Sequence, residues 1–171
     1  MSGTTTTSVR EQFRDRLRDF DVESTVVSPD EVTATLEQIA SSPAVGVEPS
    51  DGRYAFPDIV ETEFSPADLE AAATGVTEAT IGISDYGSIV VPTTQAGVEP
   101  VSLFADQHLA VLDESDLVRG MDDGLAQMGD RFREAAFSGI IATGPSATAD
   151  MGALVKGAHG PKTVHVVVVE Q

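Results

Sequence analysis

Cysteine is absent from the 171 residues. That excludes disulfides, a thiolate nucleophile, thiolate zinc sites and cysteine-held iron–sulfur clusters within this chain. Histidine is scarce. His108, His159 and His165 are the whole set, and they show no metal-ligand spacing such as HExxH. A metal held by carboxylates alone has no positive support, and the dinucleotide fingerprint GxGxxG is missing. No motif asks for a cofactor. The strongly apolar runs, VHVVVV among them, are far too short to span a bilayer. The opening MSGTTTTS is polar and has no apolar signal core, so the expectation is a cytoplasmic protein with a frayed tail over Met1–Ser8.

Lysine is nearly absent as well. Lys156 and Lys162 stand beside eight arginines and 28 acidic residues, for a formal net charge of −18. The acids are scattered along the chain, which fits a solvated surface better than a patch for a basic partner. Dense carboxylates keep a protein soluble when salt screens them, and repel one another when salt is removed. Low lysine and few aromatics resemble the composition of extremely halophilic proteins. With no basic patch to neutralise phosphates, nucleic acid is not an expected partner. What remains is a globular composition, 41% hydrophobic, at a length that suits one core.

VREQFRDRLRDF puts Val9, Phe13, Leu17 and Phe20 near one helical face, predicting an amphipathic helix over 8–20. STVV, 24–27, reads as a strand. SPDEVTATLEQIASS reads as a helix capped by Ser28 or Asp30, with Val32, Leu36 and Ile39 inward. PAVGVEP predicts a short strand, and 50–59 a loop. SPADLEAAATG predicts a helix with Ser65 as N-cap, Pro66 in its first turn and Gly75 just past its end. Two β-rich arms, 79–84 and 88–93, flank Asp-Tyr-Gly and predict a hairpin. HLAVL, 108–112, and GIIAT, 139–143, read as buried strands. Between them, SDLVRGMDDGLAQMGDRFREAAF reads as one long helix capped by Asp113 or Ser115. Its expected inner face is Leu117, Met121, Leu125, Met128 and Phe132. KTVHVVVVE predicts a final strand. Alternating strands and helices indicate an α/β fold, a three-layer α/β/α sandwich with a mainly parallel sheet. Residues 1–22 form the tail and first helix, and 23–171 one domain without repeat or linker.

TGPSATADMGALVKGAHGP, 143–161, concentrates glycine and proline around Ser146, Thr148, Asp150 and His159. The strand ending at Thr143 is expected to turn through Gly144-Pro145-Ser146 into a short helix, from 147 or 149 to 156. Met151, Leu154 and Val155 would point inward, and Gly157 would cap the helix. A strand end followed by a helix start is where open α/β sheets bind ligands, and free N–H groups there favour an anion. A plain cap is the competing explanation: Ser146 or Thr148 closes the helix and Asp150 complements its dipole. Both lysines flank this segment, which favours an anion or an acidic partner.

The residues resemble the LUD domain, the family of the lactate-utilisation C subunit. GPSATAD followed by GAHGPKTVHVVVV is similar to its GPS-x-TAD-I and G-x-HGP elements. GVTEATIGISDYGSIVV is similar to its GVT-x-A segment and A-E-T-G-T turn, and PVSLFADQHLAVL to the segment before a hydrophobic strand. The likeness runs from about Gly75 to Val169. Here the turn reads Ser84-Asp85-Tyr86-Gly87-Ser88, Thr80 stands where an acid is common, and Phe104 where proline is usual. The resemblance implies the fold of glucosamine-6-phosphate deaminases, ribose-5-phosphate isomerases and CoA transferases. It also implies a part in oxidising L-lactate to pyruvate beside iron–sulfur partner subunits.

Three functions follow. In the first, the chain is an accessory or substrate-binding subunit of an iron–sulfur lactate-utilisation complex. Asp85, Gly87, Ser88, Gly144, Ser146, Thr148, Asp150, His159 and Gly160 are then the candidate ligand-binding residues for a small organic acid or another anionic small molecule. In the second it is a stand-alone enzyme on a CoA ester or sugar phosphate, with Asp85 or Asp150 as base and His159 as acid–base partner. In the third it is a structural or regulatory module. A homo-oligomer is compatible with each, and the first is preferred because of the family resemblance.

Overall fold

The computed structural model describes residues 7–134, 138–150 and 153–171. In order, these form α1 (Val9–Asp19), β1 (Glu23–Val27), α2 (Val32–Ile39), β2 (Ala44–Gly46), β3 (Val60–Glu61), α3 (Pro66–Ala71), β4 (Thr74–Ala79), β5 (Ile81–Ile83), β6 (Ser88–Pro92), α4 (Val98–Phe104), β7 (Gln107–Asp113), β8 (Leu117–Val118), α5 (Met121–Glu134), β9 (Gly139–Thr143), β10 (Ala147–Asp150), β11 (Ala153–Lys156) and β12 (Thr163–Val169). Six strands make a parallel central sheet in the order β1-β12-β7-β4-β2-β3. A second sheet runs β8-β5-β6-β9, and β10 and β11 form a separate antiparallel pair. Among the described residues no helix is long and apolar enough to cross a membrane.

The valine-rich strands explain the central sheet. Strand period two sends Val164, Val166 and Val168 of β12 to one face and Val167 and Val169 to the other. β-Branched side chains suit both positions, and a parallel sheet needs both faces covered. On one side α2 brings Val32 and Leu36. On the other, α1 brings Phe13 and Leu17, α4 brings Val98, and the second sheet brings Ile89 and Val91. The result is an α/β fold with a mostly parallel central sheet and flanking helices. The second sheet is sandwiched in turn by α5 through Met128.

Three helical starts use one device. Ser8 with Glu11 and Ser65 with Asp68 each form a reciprocal capping box, and at the third the Ser28 N–H and hydroxyl both donate to the Glu31 carboxylate. The serine N–H and hydroxyl bonds hold all three carboxyl groups below their ordinary range.

Several expectations are corrected. The helix placed at 115–137 begins only at Met121. Asp113 caps a single 3-10 turn, and Leu117-Val118 then pairs with Gly82-Ile83 as β8. Leu125 and Phe132 are half exposed, and the buried seam runs through Gly124 and Met128 instead. A Cβ on Gly124 would come within 2.9 Å of Ile83, so the absence of a side chain selects the inward face. Gly75 is not a helix terminator. It lies in β4, beneath the Val101 carbonyl of α4, which a Cβ would meet at 2.2 Å. GIIAT is not a strand covered on both faces. It pairs antiparallel with β6 as β9, and Ile141 is exposed.

Candidate ligand pocket

Residues 147–150 and 153–156 pair as antiparallel strands and are not helical. Ser146 and Gly157 explain why. The Gly157 N–H donates to the Ser146 carbonyl at 2.9 Å. A helix over the ten residues between them would hold its ends about 15 Å apart, at ~1.5 Å per residue. The chain must therefore double back, and β-branched Thr148 and Val155 face each other across the pair. Val155 is exposed rather than inward, while Met151 lies outside the described residues. With no helix there is no helix N-terminus to hold an anion. Both lysines are also engaged elsewhere, Lys156 with Asp21 at 3.2 Å and Lys162 with Asp106 at 2.8 Å.

The same turn closes a pocket of a different kind. The Ser146 N–H donates to the Pro161 carbonyl at 2.8 Å, and the His159 N–H reaches the Ser146 hydroxyl at 3.4 Å. Gly-Pro-Ser and His-Gly-Pro are thereby tied into one lip. Gly160 permits the closeness, since a Cβ there would sit 3.0 Å from Ser146 Cβ. Gly144 adopts φ +69, a conformation that favours glycine, against Phe20. Behind the lip is a cavity of about 250 Å³ between the two sheets. Ile89 and Val91 of β6 line one wall, and Val164 and Val166 of β12 the opposite one. Among the described residues no Lys, Arg, Asp or Glu lines it.

His108 lies at the floor, 2% exposed, with Nε2 2.9 Å from the hydroxyl of fully buried Thr77. Burial pushes its pKa down to about 4, so the ring is neutral near pH 7. Ser102 of α4 also lines the pocket, its hydroxyl donating to the Glu99 carbonyl at 2.6 Å.

The pocket therefore opens near the amino ends of β7 and β12. The expected location beyond the carboxyl end of a parallel strand is corrected, because β9 belongs to the second sheet. At the true carboxyl end, polar groups are engaged with one another. Tyr54 donates to Glu78 at 2.8 Å, Arg53 pairs with Asp113, and Arg131 donates to the Thr80 carbonyl at 3.2 Å. Burial and Glu78 together raise the Tyr54 pKa.

Of the candidate residues, Gly87, Gly144, Ser146, His159 and Gly160 line the cavity. Ser88 is buried behind it and shares a 2.6 Å hydrogen bond with Thr143, which does line it. Asp85 points elsewhere: Gln12 donates to it at 2.5 Å, over α1. Thr148 and Asp150 belong to β10. Sequence reasoning missed His108, Ser102 and Thr143. For His108 a signal existed, since alternation in HLAVL places it on the same face as Ala110 and Leu112. Among the described residues no cluster of three metal-ligating side chains occurs.

The chain is similar to known proteins over nearly its whole length. It is 29% identical to a Deinococcus radiodurans protein described as lactate utilization protein C, covering 92% of this chain and 78% of that one. The crystal structure of a DUF162 family protein from Deinococcus radiodurans superposes with a TM-score of 0.66 at 24% identity, covering 96% of this chain and 99% of that one. At that identity the likeness shows the fold alone. The model of the LUD domain matches residues 17–169, a span that includes both sheets and both turns of the lip, and the chain belongs to the LUD domain family.

Proposed function

We propose that this protein is a cytoplasmic, ligand-binding accessory subunit of a lactate-utilisation system, working beside iron–sulfur subunits that carry the electrons. The observation that carries this reading is the inter-sheet pocket, closed by the Gly-Pro-Ser and His-Gly-Pro turns hydrogen-bonded to each other. The similarity to a protein described as lactate utilization protein C supports the choice of system. With no cysteine, the chain supplies no thiolate for a cluster, so cysteine-held clusters belong to partners. A small hydroxy- or keto-acid enters with its carboxylate at the exposed mouth, among Ser146, His159 and the glycine backbones.

Two measurements test this. Affinity capture in molar salt recovers cysteine-rich iron–sulfur proteins, and calorimetry detects lactate or pyruvate binding. Recovery of a lone oligomer that turns over a CoA ester or sugar phosphate would replace the reading with the enzymatic one. The charge of −18 adds a halophilic surface to the proposal. Dialysis into low salt unfolds the protein as carboxylate repulsion loses its screening. Equal melting temperatures in dilute buffer and in molar KCl would remove that part.

A further inference from the structure

We propose that His108 is the recognition group at the pocket floor. Its Nδ1–H donates to an uncharged carbonyl or hydroxyl oxygen of a ligand whose apolar body is longer than three carbons. This rests on the reading that the inter-sheet pocket binds a hydroxy- or keto-acid, and it specifies which end enters and how large the molecule is.

The proton on His108 follows from its neighbour. Thr77 is fully buried, and its hydroxyl has His108 Nε2 as its partner at 2.9 Å. Were Nε2 the donor, the Thr77 hydroxyl hydrogen would be left in a dry core without an acceptor, the costlier arrangement. Thr77 therefore donates to Nε2. In a neutral imidazole the other nitrogen then carries the hydrogen. Among the described residues no buried side-chain nitrogen or oxygen lacks a hydrogen-bond partner. Among the described residues Nδ1 has no hydrogen-bond partner, so it is the ring nitrogen left open to the cavity that His108 lines.

The walls define the rest. Among the described residues that line the cavity nothing cationic offsets a carboxylate, and burying one there unpaired is strongly unfavourable. The oxygen that reaches His108 is hence uncharged, and the carboxylate stays at the mouth. A three-carbon acid leaves much of the 250 Å³ cavity and its valine and isoleucine walls uncovered. Each further methylene laid against those walls raises affinity about fourfold.

The test titrates the full-length protein, in molar KCl, with 4-oxopentanoate, 5-oxohexanoate, 6-oxoheptanoate and 7-oxooctanoate, in which each added methylene moves the carbonyl farther from the carboxylate. Calorimetry gives the affinities, and long-range ¹H–¹⁵N spectra report the histidine rings. The expected result is about fourfold tighter binding per methylene, with the His108 nitrogens shifted and Nδ1 still protonated. His108→Asn loses about tenfold across the series. Ala142→Leu, which narrows the cavity without touching the imidazole, reduces the methylene step below about twofold. It decides the matter should the His108 variant not fold. Equal affinity along the series overturns the inference, as do unmoved His108 signals in a bound state or a full step retained in Ala142→Leu. If no acid of any length binds, the pocket reading itself falls.

Discussion

At the carboxyl end of the parallel sheet, Tyr54, Glu78, Arg53, Asp113 and Arg131 meet one another or backbone carbonyls. At the amino end, Thr77, His108 and Ser102 sit beneath apolar walls, and one imidazole nitrogen faces empty volume. Open α/β sheets usually bind ligands at the carboxyl end. Here the polar groups around the cavity at that end are engaged with one another, whereas the amino end leaves an imidazole nitrogen facing its cavity. Polar residues at a sheet end are thus weak evidence of a site until their partners are counted.

Four experiments break or sharpen this contrast. The largest effect belongs to the amino end. The unfolded His108 titrates near 6.5 and the folded one near 4. Between those values the unfolded chain takes up a proton that the folded chain refuses, so stability is full above pH 6.5 and declines by about 3 kcal/mol as pH falls toward 4. His165, also lowered mainly by burial, adds the same sign. Urea midpoints at pH 7.5 and 5 measure the loss, and His108→Asn removes the larger share of the slope.

Next is Gly75→Ala, which drives a methyl into the Val101 carbonyl at the amino end. It costs about 2 kcal/mol in urea unfolding. Gly129→Ala in α5 provides the control. Its Cβ meets nothing closer than the Arg133 guanidinium at 3.5 Å, and it gains up to ~1 kcal/mol of helix propensity.

Glu78→Ala at the carboxyl end leaves the Tyr54 hydroxyl and the Ser50 N–H without their acceptor. It lowers stability by about 1–2 kcal/mol while keto-acid affinity stays at the wild-type value. Weakened binding would mean that the two ends communicate. Smallest is Ser146→Ala, which deletes a 3.4 Å bond and costs well under ~1 kcal/mol of thermal stability. Its effect appears instead in calorimetry, as weaker binding at the lip.

Elements whose pattern and tertiary role agree were legible in the sequence. The β12 valines, the α1 stripe and the serine caps at Ser28 and Ser65 announce themselves through period and chemistry. The antiparallel pairing of 147–150 with 153–156 was not legible. The local composition permits a helix, and what decides the matter is a bond from Gly157 to Ser146 together with one from Ser146 to Pro161. The face of α5 was misread because its contact residue, Gly124, contributes no hydrophobicity to a periodicity count. In the site, the lip was marked by Gly144, Ser146, His159 and Gly160. The floor was hidden, because a histidine inside an apolar strand looks like any core residue until the cavity beside it is seen.

β12 has a consequence for how the chain assembles. It lies between β1 and β7, and its partner in β1 is 140 residues earlier, as in the Thr25–His165 pair. Until β12 arrives, β1 has no neighbour in the sheet, and the gap to β7 is two strand spacings, roughly 10 Å. A ribosome adding ~5–20 residues each second takes on the order of ten seconds to cover that distance. For that time β1 waits without a strand neighbour, while β7, already paired with β4, keeps one open edge, and the long loop closure makes the final step slow. The strand that completes the sheet also supplies the pocket wall, so the nascent chain has no ligand site until its central sheet is whole.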